Sequence, residues 1–367
     1  MKQISVDTLR QWLEEGRPVN VLDVRSSADR AEWSIPGSLH VDAYEALKAG
    51  KSNALAGVNL RANVPTVTVC GRGKVSQVAA EQLQSLGWEA FSLEGGMKAW
   101  SLAWNCAEVT LSSSQTRILQ VRRTGKGCLS YLIGSHHSAV VIDPSLPAEV
   151  YLRLAEQHGW KIGHVLETHI HADHLSRART LAEATGASLL LPDQRRVAFP
   201  FTAVSDGSGV EFGQAMLIAI GTPGHTMEST CYWLNGESLF TGDTLFLSTV
   251  GRPDLHADPA ETNQRARHLY HSIEKLHRLS PEVLIFPGHA SDPIAFDGKA
   301  LYAQLGEVFT LLAAQYSSEQ EFVQRLMSRI PATPANYERI VKLNEAGTLP
   351  EGDPTELEAG PNRCAVL

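Results

Sequence analysis

Residues 168–174 read T-H-I-H-A-D-H, three histidines and an aspartate within seven positions. The preceding HVLET has strand character, and alternate residues of an extended chain share a face, so His169 and His171 are expected to project together. Asp173 and His174 follow on a turn before the helical pattern LSRARTLAEATG. Downstream, P-G-H at 223–225, T-G-D at 241–243 and P-G-H at 287–289 each place a donor beside a glycine at a strand end, adding His225, Asp243 and His289. Imidazole and carboxylate donors in this density suit zinc or non-haem iron; calcium takes mostly oxygen, and copper electron-transfer sites use a cysteine. His136, His137, His158, His164, His256, His268, His271 and His277 lack such partner motifs and read as surface or satisfied core residues.

The segments around this motif are short strands (ILQVRR, CLSYLIG, AVVIDP, SLLLP, MLIAIG, CYWLNG, ESLFTGD, VLIFPGH) cut by Gly, Pro, Asn and Asp turns, with helices expected at about 147–158, 176–186 and 260–279. That mixture predicts two mixed sheets covered by helices, a layered α/β arrangement. A helical tail follows from about 301. Residues 4 to about 100 instead alternate strand and helix, as in VNVLDV, TVTVC, VSQVAAEQLQSLG and EAFSL. This predicts βα units around a small parallel sheet. Between the two lies a Ser/Thr-rich stretch without clear period, read as a linker. The expected domains are 1–104, a linker at 105–116, and 117–367.

A chain of 367 residues suits two domains, and 43% apolar with 20% charged residues is the composition of a well-cored protein. The net charge of −8, with no basic stripe, argues against nucleic acid as partner and for small molecules. No run of about 18 apolar residues suggests a membrane span, and MKQISVDTLRQWLEEG has no apolar signal core. Cys70, Cys106, Cys128, Cys231 and Cys364 are odd in number, scattered, and never C-x-x-C. Neither a disulfide framework nor a zinc knuckle is indicated, and a reducing cytoplasm is the expected location.

Cys70 ends an apolar strand and is followed by G-R-G-K-V-S and a helix. Such a loop aims several backbone N–H groups at one point, and the helix dipole with Arg72 and Lys74 favours a thiolate. V-L-D-V-R at 21–25, I-P-G-S-L-H at 35–40, the Cys-x5-Ser loop at 70–76 and L-E-G-G-M-K-A-W at 93–100 together resemble a rhodanese domain. The resemblance implies sulfur transfer, with a persulfide on catalytic Cys70 cradled by Gly71, Arg72, Gly73, Lys74, Val75 and Ser76. Many thiosulfate-active members of that family carry Arg where this chain has Val75, so thiosulfate as donor is left open. Asp23 and Arg25 are expected to brace the loop.

The H-x-H-x-D-H motif with His225, Asp243 and His289 resembles the metallo-β-lactamase superfamily over roughly residues 116–300. The implied fold class is α/β: a small parallel-sheet rhodanese-like domain followed by an αββα sandwich. Donor counting alone leaves room for two metals, His169, His171 and His225 at one and Asp173, His174 and His289 at the other, bridged by Asp243. That is the arrangement of glyoxalase II, a dinuclear, zinc-type thioester hydrolase. The segment T-G-D-T-L-F-L-S-T-V-G-R-P-D-L at 241–255 and the tail A-G-P-N-R-C-A at 359–365 are instead similar to persulfide dioxygenases. That resemblance implies one Fe(II) per chain held by His169, His225 and Asp243, with three positions left for substrate and O2. His171, Asp173, His174 and His289 would then hydrogen-bond ligands and water, and Arg252 and Asp254 would shape the pocket, Arg252 gripping a substrate carboxylate. The implied partners are a thiol persulfide (glutathione persulfide by default), O2, and sulfite or thiosulfate, with a homodimer expected from the habits of relatives.

Overall fold

In the computed structural model, residues 2–111 and 116–366 are described. The N-terminal sheet is parallel, with strands in the order Gln3–Ile4, Ala90–Leu93, Thr66–Val69, Asn20–Asp23, Leu39–His40. Asn20–Asp23 and Thr66–Val69 are buried along their whole length, as strands covered on both faces by crossover helices must be. Cys70 follows the last residue of the central strand Thr66–Val69, at the carboxyl edge where parallel sheets present ligand sites. The helix Val75–Ser85 begins five residues later and packs back on that strand.

The rest of the chain is a sandwich of a seven-stranded and a six-stranded mixed sheet. Period-two alternation decides which side each residue serves: Ile133, Val140 and Ile142 face the six-stranded sheet, while Leu132, Ala139 and Val141 face the outer helices. The inter-sheet core is aromatic at its centre, with Tyr131 edge-on to Phe240 at 4.8 Å. Ala148–Gln157 and Ala178–Thr185 cover the seven-stranded sheet. Pro259–Leu276, Leu305–Ala313 and Glu319–Ser328 cover the other. The layers are αββα, as expected.

Two expectations change. Residues 105–116, read as a linker, lie largely in the strand Trp104–Thr110, which pairs antiparallel with Arg117–Arg123 at the edge of the seven-stranded sheet. Residues 112–115 of that stretch are outside the described residues. The strand was hidden because an edge strand buries only some of its residues and needs no strict alternation. Second, the strand leading into the histidine motif ends at Leu166, so His169 and His171 sit on the irregular chain beyond it rather than on one strand face. Among the described residues no helix is long and apolar enough to cross a membrane.

Candidate metal centre

The strands Lys161–Leu166, Ser238–Gly242 and Leu284–Pro287 end at one rim of the sandwich, and their following turns supply the donors. Gly242 adopts φ +48°, and a β-carbon there would press on Thr168; only glycine lets the Asp243 turn lie against the histidine loop. His169, His225 and Asp243 converge with ligand atoms within 4.8 Å of one another, all buried. Asp243 Oδ2 lies 3.9 Å from His169 Nε2 and 3.6 Å from His225 Nε2. Asp243 Oδ2 and His169 Nε2 are buried without a hydrogen-bond partner. Orphaned acceptors in so small a space fit a cation between them.

Tautomers follow from the other ring nitrogens. The Thr168 hydroxyl donates to Asp143 Oδ2 at 2.8 Å and therefore accepts from His169 Nδ1 at 2.9 Å. His225 Nδ1 donates to the carbonyl of Arg252 at 2.7 Å. Each leaves a lone pair on Nε2 facing the centre. Burial holds both imidazoles below the usual histidine range. Burial alone would raise the carboxyl of Asp243, but His289 beside it brings it well below the usual range.

The other four donors are arranged differently. His171 is not part of this triad: its Nε2 is held 2.7 Å from Glu167 Oε2 and 3.3 Å from Asp143 Oδ1. Against burial, those acids raise it well above its ordinary pKa. His289 lies between Asp243 Oδ1 at 2.6 Å and Asp173 Oδ2 at 2.9 Å, and against burial these carboxylates likewise raise it. Asp173 Oδ2 also meets Cys128 Sγ at 3.3 Å and accepts from Asn362 Nδ2 at 3.0 Å, while Oδ1 meets His174 Nδ1 at 3.0 Å. The Cys128 thiol is pushed up by burial and Asp173 but drawn down by His174 and His289, to a net value of about 6. His171 Nδ1 and His174 Nε2 remain buried and unpartnered.

Arg252 does not serve as the substrate grip expected of it. It is fully buried, and its five N–H donors go to both oxygens of Asp254 and to the carbonyls of Pro331, Ala332 and Arg363. Arg252 and Asp254 pin the tail to the site, and the Arg252 carbonyl orients His225. The cations at the mouth are others. A cleft of about 460 Å³ opens onto His225 and Ile170, and Arg196, Arg265 and Lys342 border it. None of these, nor Cys128, carried a motif that separates it from surface or core, and Asn362 and Cys364 lay in the A-G-P-N-R-C-A tail without being singled out as site residues.

At the N-terminal site the chain bends from Cys70 through Gly71–Lys74 into the helix Val75–Ser85. Cys70 is buried, its Sγ 3.3 Å from Ser76 Oγ, which is 2.9 Å from Ser92 Oγ. The amides of Met97 and Lys98 donate to the carbonyls of Cys70 and Gly71 at 2.8 and 3.0 Å. Gly96, at φ +57°, allows that contact, since a β-carbon would overlap the Cys70 carbonyl. Gly73 is buried behind the loop, Arg72 and Lys74 are exposed, and Val75 starts the helix. Asp23 and Arg25 form a buried bidentate pair, but the pair braces Asp29 and Trp33 on the neighbouring segment, not the Cys70 loop.

Fold and site thus define an αββα protein with a candidate metal centre, joined to a small parallel-sheet domain with a buried cysteine at the carboxyl edge of its sheet. The chain belongs to the metallo-beta-lactamase superfamily, which residues 123–289 match, and residues 5–103 are a rhodanese-like domain. A solved metallo-beta-lactamase from Staphylococcus aureus subsp. aureus COL is 31% identical with TM-score 0.54, covering 60% of this chain and 69% of that one. The structure of ETHE1 from Myxococcus xanthus is 27% identical with TM-score 0.54, covering 66% of this chain and 99% of that one. Among curated relatives, the hydroxyacylglutathione hydrolase of Rhodospirillum rubrum is 37% identical over 155 residues, 41% of this chain and 57% of that protein. The mitochondrial persulfide dioxygenase ETHE1 of Bos taurus is 34% identical over 176 residues, 45% of this chain and 65% of that protein. The chain spans less than two thirds of the length of either curated relative.

Proposed function

We propose that this chain is a bifunctional sulfur enzyme: a mononuclear Fe(II) dioxygenase that oxidises a low-molecular-weight persulfide, joined to a rhodanese-type site transferring sulfane sulfur through Cys70. The observation that carries the first half is the composition of the triad. Two neutral imidazoles and one carboxylate converge on one point, while His171 lies outside that triad, its Nε2 engaged by Glu167 and Asp143 and its Nδ1 unpartnered. A two-histidine, one-carboxylate face leaves positions open, the pattern of non-haem iron oxygenases. Bound Fe(II) would supply O2 activation next to the substrate sulfur.

The chain's own groups supply the rest. Thr168 and the Arg252 carbonyl fix the tautomers of His169 and His225, and His289 donates to Asp243 Oδ1 so that Oδ2 stays directed inward. The persulfide enters by the His225 cleft, where Lys342, beside an Arg196 paired with Glu228 and Glu345 and an Arg265 paired with Glu261, offers a cation to a carboxylate of a carrier thiol such as glutathione. Overall, R–S–SH, O2 and water give RSH and sulfite with two protons; the outer sulfur loses four electrons to O2. Sulfite and thiosulfate are then the acceptor and product, or the reverse, of the Cys70 site.

One observation favours a second reading. His171 Nδ1 and His174 Nε2 are buried without partners, and both are donors that a dinuclear thioester hydrolase of the glyoxalase II type would use. Metal analysis of protein purified without added metal, combined with O2 uptake on glutathione persulfide, separates the two. Iron at one per chain with O2 uptake supports the dioxygenase. Two zinc ions per chain, no O2 uptake, and hydrolysis of a glutathione thioester would replace it.

A further inference from the structure

Two of the cations around the Cys70 loop are already held by acids from the far end of the chain. Arg72 Nη2 lies 3.2 Å from Glu356 Oε2, and Lys98 Nζ lies 2.8 Å from Asp353 Oδ2 and also contacts Glu356 Oε1. Lys98 stands on the helix Gly96–Trp100, whose amides hold the Cys70 and Gly71 carbonyls. Lys74, the remaining cation of the loop, has no acidic partner among the described residues.

The segment that carries these half-exposed acids is anchored. Asp353 Oδ1 accepts from the amide and hydroxyl of Thr355 at 2.9 and 2.6 Å, starting the short helix Thr355–Glu358. Two residues past Glu356, the fully buried Glu358 pairs with Arg123 and Arg177 at 3.2 Å each and accepts from the Leu175 amide at 2.8 Å. A segment clamped at Glu358 keeps Glu356 within reach of Arg72 at little further entropic cost.

We infer that Asp353 and Glu356 set which sulfur donor Cys70 accepts, disfavouring small inorganic dianions and favouring organic persulfides. This deepens the sulfur-transfer reading of Cys70 and rests on it. With R–S–SH, the Cys70 thiolate attacks the outer sulfur, a bond forms between Sγ and that sulfur, and the donor S–S bond breaks. The electron pair leaves with RS⁻, the proton stays on the transferred sulfur, and no oxidant is consumed. With thiosulfate the same attack expels sulfite, but thiolate and dianion bring three negative charges together before release. Lys74 alone among these cations has no acidic partner among the described residues, so a dianion that also draws on Arg72 or Lys98 competes with Glu356 and Asp353 for them.

The test uses the full chain, reading persulfide on Cys70 by mass spectrometry against time with thiosulfate or glutathione persulfide as donor. In Glu356→Gln the KM for thiosulfate should fall roughly threefold, and in Asp353→Asn with Glu356→Gln roughly tenfold, since each exposed pair is weak. Maximal loading rate and the KM for glutathione persulfide should stay within about twofold of the parent. In an Arg72→Gln background, Glu356→Gln should no longer shift the thiosulfate KM, which a merely structural role would not produce. Loading from both donors with an unchanged thiosulfate-to-persulfide preference overturns this inference alone. Loading from neither donor overturns the sulfur-transfer reading of Cys70 and this inference with it.

Discussion

Thr168 does two jobs with one hydroxyl, donating to Asp143 and accepting from His169, so the His169 lone pair has only one direction to face. Thr168→Val removes the acceptor and keeps the shape, and metal occupancy should fall at least tenfold under limiting metal, measured by equilibrium dialysis. Unchanged affinity would mean that His169 does not depend on this bond. Arg252 supports the site from the main-chain side. Arg252→Met breaks a buried pair with Asp254, itself 18% exposed at its side chain, and should cost about 3 kcal/mol in urea denaturation while the folded protein keeps its KM for persulfide. A large rise in that KM with stability intact would restore Arg252 as a substrate grip. His169 was legible as a donor from the density of the T-H-I-H-A-D-H motif, and His225 and Asp243 from the glycine beside each of them. The fate of Arg252 was not, because three of its acceptors come from residues 331, 332 and 363, and sequence spacing says nothing about contacts so distant.

Among the elements, the helix Gly96–Trp100 matters most to Cys70, because its first turn ties down the loop carbonyls. Gly96→Ala should abolish persulfide loading on Cys70 and leave O2 uptake at the metal site intact; normal loading would show that the loop does not need this contact. The segment bearing Asp353 and Glu356 carries a pH signature. Hydrogen bonds from Lys98 and then Thr355 draw Asp353 down from 3.8 to about 2, so its contribution is complete above 3.8 and is lost as pH falls toward 2. Asp353 and Glu356 raise Lys98 above 10.5, so its contribution is complete below 10.5 and is lost only beyond the raised value. The contact is therefore constant across physiological pH. Carboxyl-carbon NMR should find Asp353 titrating near 2 and moving upward in Lys98→Met; titration near 3.8 in the parent would deny the contact. Most strands and the long helices could be read from alternation and turn residues. Trp104–Thr110 could not, since an edge strand beside a Ser/Thr-rich stretch looks like a linker until its partner Arg117–Arg123 is placed against it.

For the molecule as a whole, the two halves and their order were plain in the sequence, because each carries its own periodicity and its own reactive donors. How they meet was not. Trp33 and Trp100 close on Gly125, Trp100 packs against Phe296 at 6.1 Å, and Arg72 and Lys98 reach acids 284 and 258 positions away. These are tertiary matches between single residues, without a repeated pattern to find. The same tail that touches the Cys70 loop continues through Asn362 to Asp173 and pairs Ala365–Val366 with Val250–Gly251, so one segment borders both sites. On the proposed reading the two sites work independently. Asp243→Ala should abolish O2 uptake while sulfur loading on Cys70 persists, and loss of both with the fold retained would contradict their independence. The most direct test of the central claim is the metal content of the chain as isolated, with O2 consumption on glutathione persulfide measured on the same sample. A mononuclear dioxygenase gives one iron per chain and one O2 consumed per sulfite formed; two zinc ions per chain and no O2 consumption rule it out.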